Sequence, residues 1–478
     1  MKRTGRTTCI TAITTLTGLV FSVSVMSFAQ TLTTLATLNG ANLPIGSSLT
    51  QGADGNFYGA TSYGGLKNQG KVFRVTPDGS MKTIYSFCSV ANCADGSNPN
   101  GTLLLGPGGD LYGTTQFGGG GSASDCGSIG CGTVFKLTPA GQFTTLYVFC
   151  PMTNCPDGNM PDTGLSLGMN GNLYGTAYYG GACSTCGTIF EVSLSGKFVG
   201  EFQFLGGRNG GGPGISLVLA NNGYFYGIAG GGRSAGGEIY AYSPSGNLYV
   251  VADQSFTNRV NGVSLGADGN LYGTSMLGGV DGLGSIFELT PTGSFSTIYN
   301  FCSQSCTDND PDTGVTQGSD GNFYGTASGG LYGNGALYQF NPNGTYTSLY
   351  SFCSQKKKNC PDGSTPNTLL YQGTDGLFYG GTEGGASGFG TIFSLSMGLA
   401  PFIKASPNFG RTSTYVGILG NNLTGTSSVT FNGVPASFTV VSNTFLKAQV
   451  PSGATTGTIQ VTTPSGTLNS NLAFQILP

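Results

Sequence analysis

The sequence predicts an all-β protein: a seven-bladed β-propeller over residues 30–397, followed by an immunoglobulin-like β-sandwich over residues 400–478. Three observations carry this. Gly makes up 85 of 478 residues and charged residues only 8%, which argues against helices with Glu, Lys and Arg faces. With 38% hydrophobic and 11% aromatic residues, the chain still has enough apolar surface to offset its conformational entropy, which argues against disorder. Finally, the phrase Asp320-Gly321-Asn322-Phe323-Tyr324-Gly325 recurs along the chain, as in Asp54 to Gly59 and Asp268 to Gly273.

Residues 1–29 read as a secretory signal. Lys2, Arg3 and Arg6 precede an apolar, Thr-rich run that ends in Ser27-Phe28-Ala29, a small-x-Ala cleavage site, with an uncleaved anchor as the rival. Cleavage removes three positive charges and no acid, taking formal charge from −3 to −6, and no second apolar span of membrane length follows. A mildly acidic chain without a basic stripe excludes nucleic acid as a partner. The expected location is secreted or cell-envelope, and the expected state a monomer. Histidine is absent, which removes His-dependent triads, imidazole metal sites and His general bases.

Looser copies of the phrase bring the anchoring tyrosines to Tyr58, Tyr112, Tyr174, Tyr226, Tyr272, Tyr324 and Tyr379, at spacings of 54, 62, 52, 46, 52 and 55. A period of this size means one supersecondary unit repeated with insertions. In each unit an apolar first strand (Leu103-Leu104-Leu105) leads into an Asp-Gly or Asn-Gly hairpin, and the Tyr-Gly-Thr strand follows. A Gly-Gly loop precedes the third strand, Gly-Thr-Ile/Val-Phe-x-Leu, and a Pro-x-Gly turn leads to the fourth, such as Thr144 to Phe149. Four antiparallel strands per unit predict a propeller, with an open β-solenoid as the alternative. The seventh unit stops after its third strand at Leu395, and Thr33 to Leu38 match the missing fourth, so an N-terminal strand would close the ring and remove the free edges.

This topology puts the tight turns on one face and the long connections on the other. All the cysteines beyond Cys9 lie in those long connections, as six close pairs: Cys88 with Cys93, Cys126 with Cys131, Cys150 with Cys155, Cys183 with Cys186, Cys302 with Cys306 and Cys353 with Cys360. In an exported chain they read as local disulfides. Zinc is the rival at Cys183-Ser-Thr-Cys186, which lacks a second pair of that spacing.

The repeated phrase resembles that of the GloVer-type tandem-repeat family of exported bacterial proteins, in order, over roughly residues 40–396. The resemblance implies an exported repeat protein and supplies no activity. Residues 400–478 resemble an IPT/TIG domain through Val416 to Leu423, Val429 to Val434 and Val461 to Gly466. That resemblance implies a spacer or adhesive module.

Candidate site residues lie on the long-loop face. Just before the Gly-Gly pairs the repeat diverges, and Tyr63, Gln116, Phe117, Tyr178, Tyr179 and Glu383 are ligand-binding candidates, the aromatics for stacking on a sugar ring; relaxed loop variability is the bland alternative. The loop theme Cys-x-Asp-Gly-x-x-Pro-Asn/Asp supplies Asp95, Asp157 and Asp362, each either a cap for its own turn or part of an acidic rim. Asp308, Asp310 and Asp312 alternate like an oxygen-rich calcium loop, the one cofactor expected. The leading expectation is a non-catalytic protein that binds an extracellular glycan or protein. The alternative is a glycoside-hydrolase-like enzyme pairing Glu383 with Asp95, Asp157, Asp310 or Asp362.

Overall fold

A computed structural model describes residues 30–38, 40, 43, 47–120, 126, 130–206, 210–230, 238–252, 260–301, 308–354, 359–386 and 388–478. The leader lies outside the described residues, and so do Cys302 and Cys306. Among those described there is no α-helix, and no helix long and apolar enough to cross a membrane. Up to Ser396 the strands form seven antiparallel sheets, one per repeat.

The second unit is representative. Leu111–Phe117 pairs with Thr133–Leu137, which pairs with Phe143–Val148. The first strand is split: Ser97–Pro99 and Leu104–Leu105 both pair with Leu111–Phe117, leaving Asn100 to Leu103 as an inward bend between them. The apolar first strand expected at Leu103 to Leu105 is present as Leu104–Leu105, and Ser97–Pro99 adds a segment that the repeat pattern did not mark. The break follows a left-handed residue just before the proline, at Asn98 (φ 54), Met160 (φ 53), Asp310 (φ 51) and Thr365 (φ 53). This conformation is costly for a non-glycine residue. At Met160 it lets the amide donate to Cys131 O of the preceding unit at 2.9 Å.

Two features of the repeat phrase are explained by close approach. Opposite Gly113 stands Phe135, and a Cβ on Gly113 would come within 2.5 Å of that ring. At Gly132 (φ +99) a Cβ would meet the Cδ of Pro161 in the next unit at 2.6 Å, so the glycine seats the following sheet. The anchoring tyrosines are buried, and in units 1, 5, 6 and 7 the hydroxyl donates to the turn aspartate at 2.6–2.8 Å: Tyr58 to Asp54, Tyr272 to Asp268, Tyr324 to Asp320 and Tyr379 to Asp375. In units 3 and 4, Asn170 and Asn222 donate to the tyrosine oxygen instead.

Adjacent sheets share aromatic contacts. Tyr272 meets Phe323 at 4.2 Å and Tyr324 meets Phe378 at 4.0 Å between ring centroids. Tyr379 of the last unit meets Phe57 of the first in the same way, at 3.8 Å. The glutamine ending the first strand caps its neighbour's hairpin: Ser319 N donates to Gln372 Oε1 at 2.8 Å, and Thr374 N to Gln51 Oε1 at 3.0 Å. Thr31–Thr37 pairs with Thr391–Ser396 and so gives the last sheet its fourth strand.

Beyond Gly398, Lys404–Ser406, Tyr415–Leu419, Phe445–Gln449 and Phe438–Ser442 form one sheet, and Val434–Pro435, Ser428–Phe431, Ile459–Thr463 and Gly466–Asn469 a second. Ile418, Phe431, Leu446, Ile459 and Phe474 are buried among the core of this sandwich. It docks on the tight-turn face. Thr444 Oγ1 donates to Ala53 O (2.9 Å), Ser406 Oγ to Leu105 O (3.0 Å) and Gln475 Nε2 to Asn221 O (2.6 Å). Leu419 and Phe445 pack with Tyr58 and Leu105 of the first two units, and Phe409 and Leu477 with the second and third.

Candidate functional site

The first-strand segments of the sheets converge on one cavity of about 820 Å³. Each of the seven sheets contributes a segment, among them Ser47 to Thr50, Asn100 to Thr102, Asp162 to Leu165, Gly214 to Ser216, Val260 to Ser264, Asp312 and Gly314, and Leu369 to Gln372. Lys404 and Asn471 of the sandwich line the same cavity, and the Lys404 ammonium lies 4.2 Å from the centre of the Tyr371 ring. The lining mixes hydroxyls and amides with glycines and apolar side chains such as Leu49, Ile228, Val263 and Leu370. Its carboxylates are Asp162 and Asp312.

Both follow the loop proline. Asp162 Oδ1 accepts from the amides of Asn100 and Gln116, and burial raises its carboxyl above the usual range. Asp312 accepts from the Ser328 hydroxyl. Asn100 and Asn261 occupy the equivalent position in units 2 and 5. Sequence reasoning did not single out Asn100, Asp162 or Asn261 as site residues; the Pro-Asn/Asp half of the loop theme was the signal for the first two, whereas Asn261 follows Val260 and carried none.

Strand alternation sorts the predicted ligand residues, because neighbours on a strand face opposite ways. Tyr178, four residues after its anchor, lines the cavity at 37% exposure, and Gln116 at the equivalent place holds Asp162. Phe117 and Tyr179, one residue on, instead line a separate cleft of about 710 Å³ together with Cys126, Cys155 and Cys183. Tyr63 stands 59% exposed and lines neither. Glu383, the seventh unit's counterpart of Tyr178, is also exposed and outside both.

Three of the four aspartates proposed as partners for Glu383 are engaged in their own loops. Asp95 Oδ2 accepts from Tyr85 Oη (2.7 Å), Ser89 N (2.9 Å) and Ser89 Oγ (2.8 Å). Burial, together with Asp95, pushes the Tyr85 phenol up to about 12. Asp157 accepts from Tyr147 Oη (2.8 Å) and Cys150 N (3.0 Å), and Asp362 from Tyr350 Oη (2.7 Å). Asp308 is buried and accepts from Tyr346 Oη at 2.7 Å, while burial raises the Asp310 carboxyl. Asp308, Asp310 and Asp312 thus have different surroundings. Among the described residues, the four sulfurs of Cys126, Cys131, Cys150 and Cys155 are what converges as a metal-ligating group.

Five of the six expected cysteine pairs are disulfides: Cys88–Cys93, Cys126–Cys131, Cys150–Cys155, Cys183–Cys186 and Cys353–Cys360. Each lies in a connection between the second and third strands of a unit or between its fourth strand and the next unit. The sixth expected pair is not among them: Cys302 and Cys306 both fall outside the described residues, so that bond remains a sequence expectation.

The Gloeobacter/Verrucomicrobia repeat matches residues 6–129, 120–262 and 248–434, nearly the whole repeat body. The chain belongs to the Gloeobacter/Verrucomicrobia repeat family. An IPT/TIG domain matches residues 402–476. No curated protein matches the sequence. Solved structures of similar fold include a streptogramin B lyase (16% identity, TM-score 0.51, 77% of this chain and 98% of that chain). Virginiamycin B lyase from Staphylococcus aureus is similar too (13% identity, TM-score 0.53, 77% and 99%). These likenesses concern the fold of the Gloeobacter/Verrucomicrobia repeat body.

Proposed function

We propose that this protein is an exported glycan-binding protein whose seven sheets close into a seven-bladed propeller. In this reading the IPT/TIG domain covers the turn-face end of the axis and the glycan enters from the disulfide-held loop face. The observation that carries it is the axial cavity: about 820 Å³, one segment from every sheet, and a lining in which hydroxyls, amides and the carboxylates of Asp162 and Asp312 alternate with apolar side chains beside the half-exposed Tyr178. Sugars are recognised by such convergent hydroxyl and amide partners, with an aromatic face against the ring's C–H surface. Asn100, Asp162 and Asp312 would meet sugar hydroxyls, and Tyr178 would stack. Closure is supported by the Tyr379–Phe57 contact, which repeats the contact between sequential units.

A binding role fits better than turnover. One of the similar lyases is catalytically inactive with a single histidine changed to alanine, and this chain has no histidine. The carboxylates nominated to pair with Glu383 include three already held by tyrosines. The test is binding of residues 30–478 to an array of bacterial and plant polysaccharides, with and without calcium. Saturable binding to one glycan class, weakened at least about tenfold by Asp162→Asn (~1.4 kcal/mol), is expected. A blank array would overturn the glycan reading, and release of new reducing ends that Glu383→Gln abolishes would replace it with the hydrolase.

A further inference from the structure

Two of the disulfides are not isolated staples. Cys126–Cys131 lies in the loop between the second and third strands of the second unit, and Cys150–Cys155 in the connection to the third. All four Sγ atoms lie within 4.8 Å of one another. The pairs Cys88–Cys93, Cys183–Cys186 and Cys353–Cys360 join no such group. Thiolates around tetrahedral zinc sit about 2.3 Å from the metal and hence about 3.8 Å from one another, so the widest separation would contract by about 1 Å while the two bonded pairs, once reduced, would open from the disulfide distance of about 2 Å.

The segments around Cys131, Cys150 and Cys155 are also held by bonds other than the disulfides. Asp157 ties Tyr147 Oη to Cys150 N, Met160 N donates to Cys131 O at 2.9 Å, and Phe149 N to Gly132 O at 3.1 Å. Access exists as well. Cys126 and Cys155 line the cleft of about 710 Å³ beside Phe117 and Tyr179, and Cys126 is half-buried while the other three are buried.

We propose that these four cysteines form one redox-gated metal site: two disulfides when oxidised, and a tetrathiolate centre for zinc when reduced. Each disulfide takes two electrons and two protons from a dithiol, which leaves as its own disulfide. The four thiols then release four protons on binding Zn²⁺, and the centre carries a net charge of −2. The Cys-x-x-Cys pair at Cys183 and Cys186 takes no part in it.

The test uses the full chain, reduced with a phosphine and held anaerobically, titrated with Zn²⁺ and with Co²⁺ as a spectroscopic probe. One equivalent of tight binding with a tetrathiolate charge-transfer spectrum is expected. Cys131→Ser and Cys150→Ser should each weaken it at least about 100-fold, since loss of a ligand costs more than loss of a supporting group. The double variant Cys88→Ser/Cys93→Ser should bind as before. No saturable equivalent, or retention in Cys131→Ser, overturns the proposal, and so does a reduced chain that unfolds and binds nothing. A second measurement needs no fully reduced state: substoichiometric thiol should produce cross-pairs between the two disulfides, read by peptide mass mapping. Their absence would show that the four sulfurs do not share one site. Glycan binding is read separately, so neither result depends on the other.

Discussion

Two positions on the same strand, four residues apart, contrast the two ends of the repeat body. The anchor position is tyrosine in all seven units. Four residues on stand Ser62, Gln116, Tyr178, Gly230, Met276, Ser328 and Glu383, six residue types in seven places. The anchor's hydroxyl closes the tight turn in most units, and the IPT/TIG domain covers that face. At the later position Tyr178, Gly230 and Met276 line the cavity, while Glu383 stands exposed outside it. Uniformity therefore marks what every sheet needs in order to pack, and diversity marks where packing imposes little. In a repeat protein that contrast locates a site from one chain.

The largest effect should come from attacking the uniform end. Gly113→Val sets a branched side chain where even a Cβ would lie 2.5 Å from Phe135 and 2.9 Å from Leu103, and should cost about 3 kcal/mol, at the upper end for overpacking. Thermal unfolding would read this. A variant as stable as the wild type would mean that the glycine is not there to admit the ring.

The turn lock comes next. Asp375→Ala leaves the Tyr379 hydroxyl and Leu377 N without their acceptors and should cost about 1–2 kcal/mol. Asp375→Asn should cost less, because Asn170 and Asn222 serve in units 3 and 4. Its sign depends on pH. Burial raises the folded-state pKa of Asp375, so the carboxyl's contribution is fully present below its ordinary value of 3.8 and is lost as pH rises through the folded value. The amide has no charge to bury, so Asp375→Asn should gain on the wild type between pH 3 and pH 7 in denaturant titrations. A difference that stays constant would show that the bond to Tyr379 cancels burial, and one that moves the other way that it outweighs burial.

Much of this contrast was legible before the structure, and the rest was not for definable reasons. The phrase around Asp320 and Tyr324 exposes the repeat because its turn, its tyrosine and its close-approach glycine are all short-range requirements. Tyr178 and Tyr179 looked equivalent in sequence. Strand parity separates them, but only once the inner strand beside them is known to bend. That bend depends on non-glycine residues in a left-handed conformation, Asn98, Met160 and Thr365, which nothing in their identities announces. Asp162 was hidden by its neighbour Asp157 in the same loop theme, one serving the loop and the other the cavity. Pairing Cys126 with Cys131 follows from spacing, whereas their approach to Cys150 and Cys155 exists only after two units are stacked. Docking of the sandwich on the tight turns through Thr444 and Ser406 is likewise tertiary.

The smallest effect on stability should accompany the sharpest functional one. Tyr63 and Tyr178 both follow the anchor, at 59% and 37% exposure, so replacing either with alanine should change stability by no more than about 0.5 kcal/mol. Their sites differ: Tyr178 borders the cavity beside Gly212, and Tyr63 lies one residue further along its own unit, away from it. With a glycan identified by array, Tyr178→Ala should weaken binding at least about tenfold and Tyr63→Ala less than about twofold, measured by calorimetry. Equal losses would place the ligand on the loop rim and not in the axis. Loss in Tyr179→Ala with Tyr178→Ala intact would move it to the cleft beside Cys126, leaving the larger cavity as a product of packing alone.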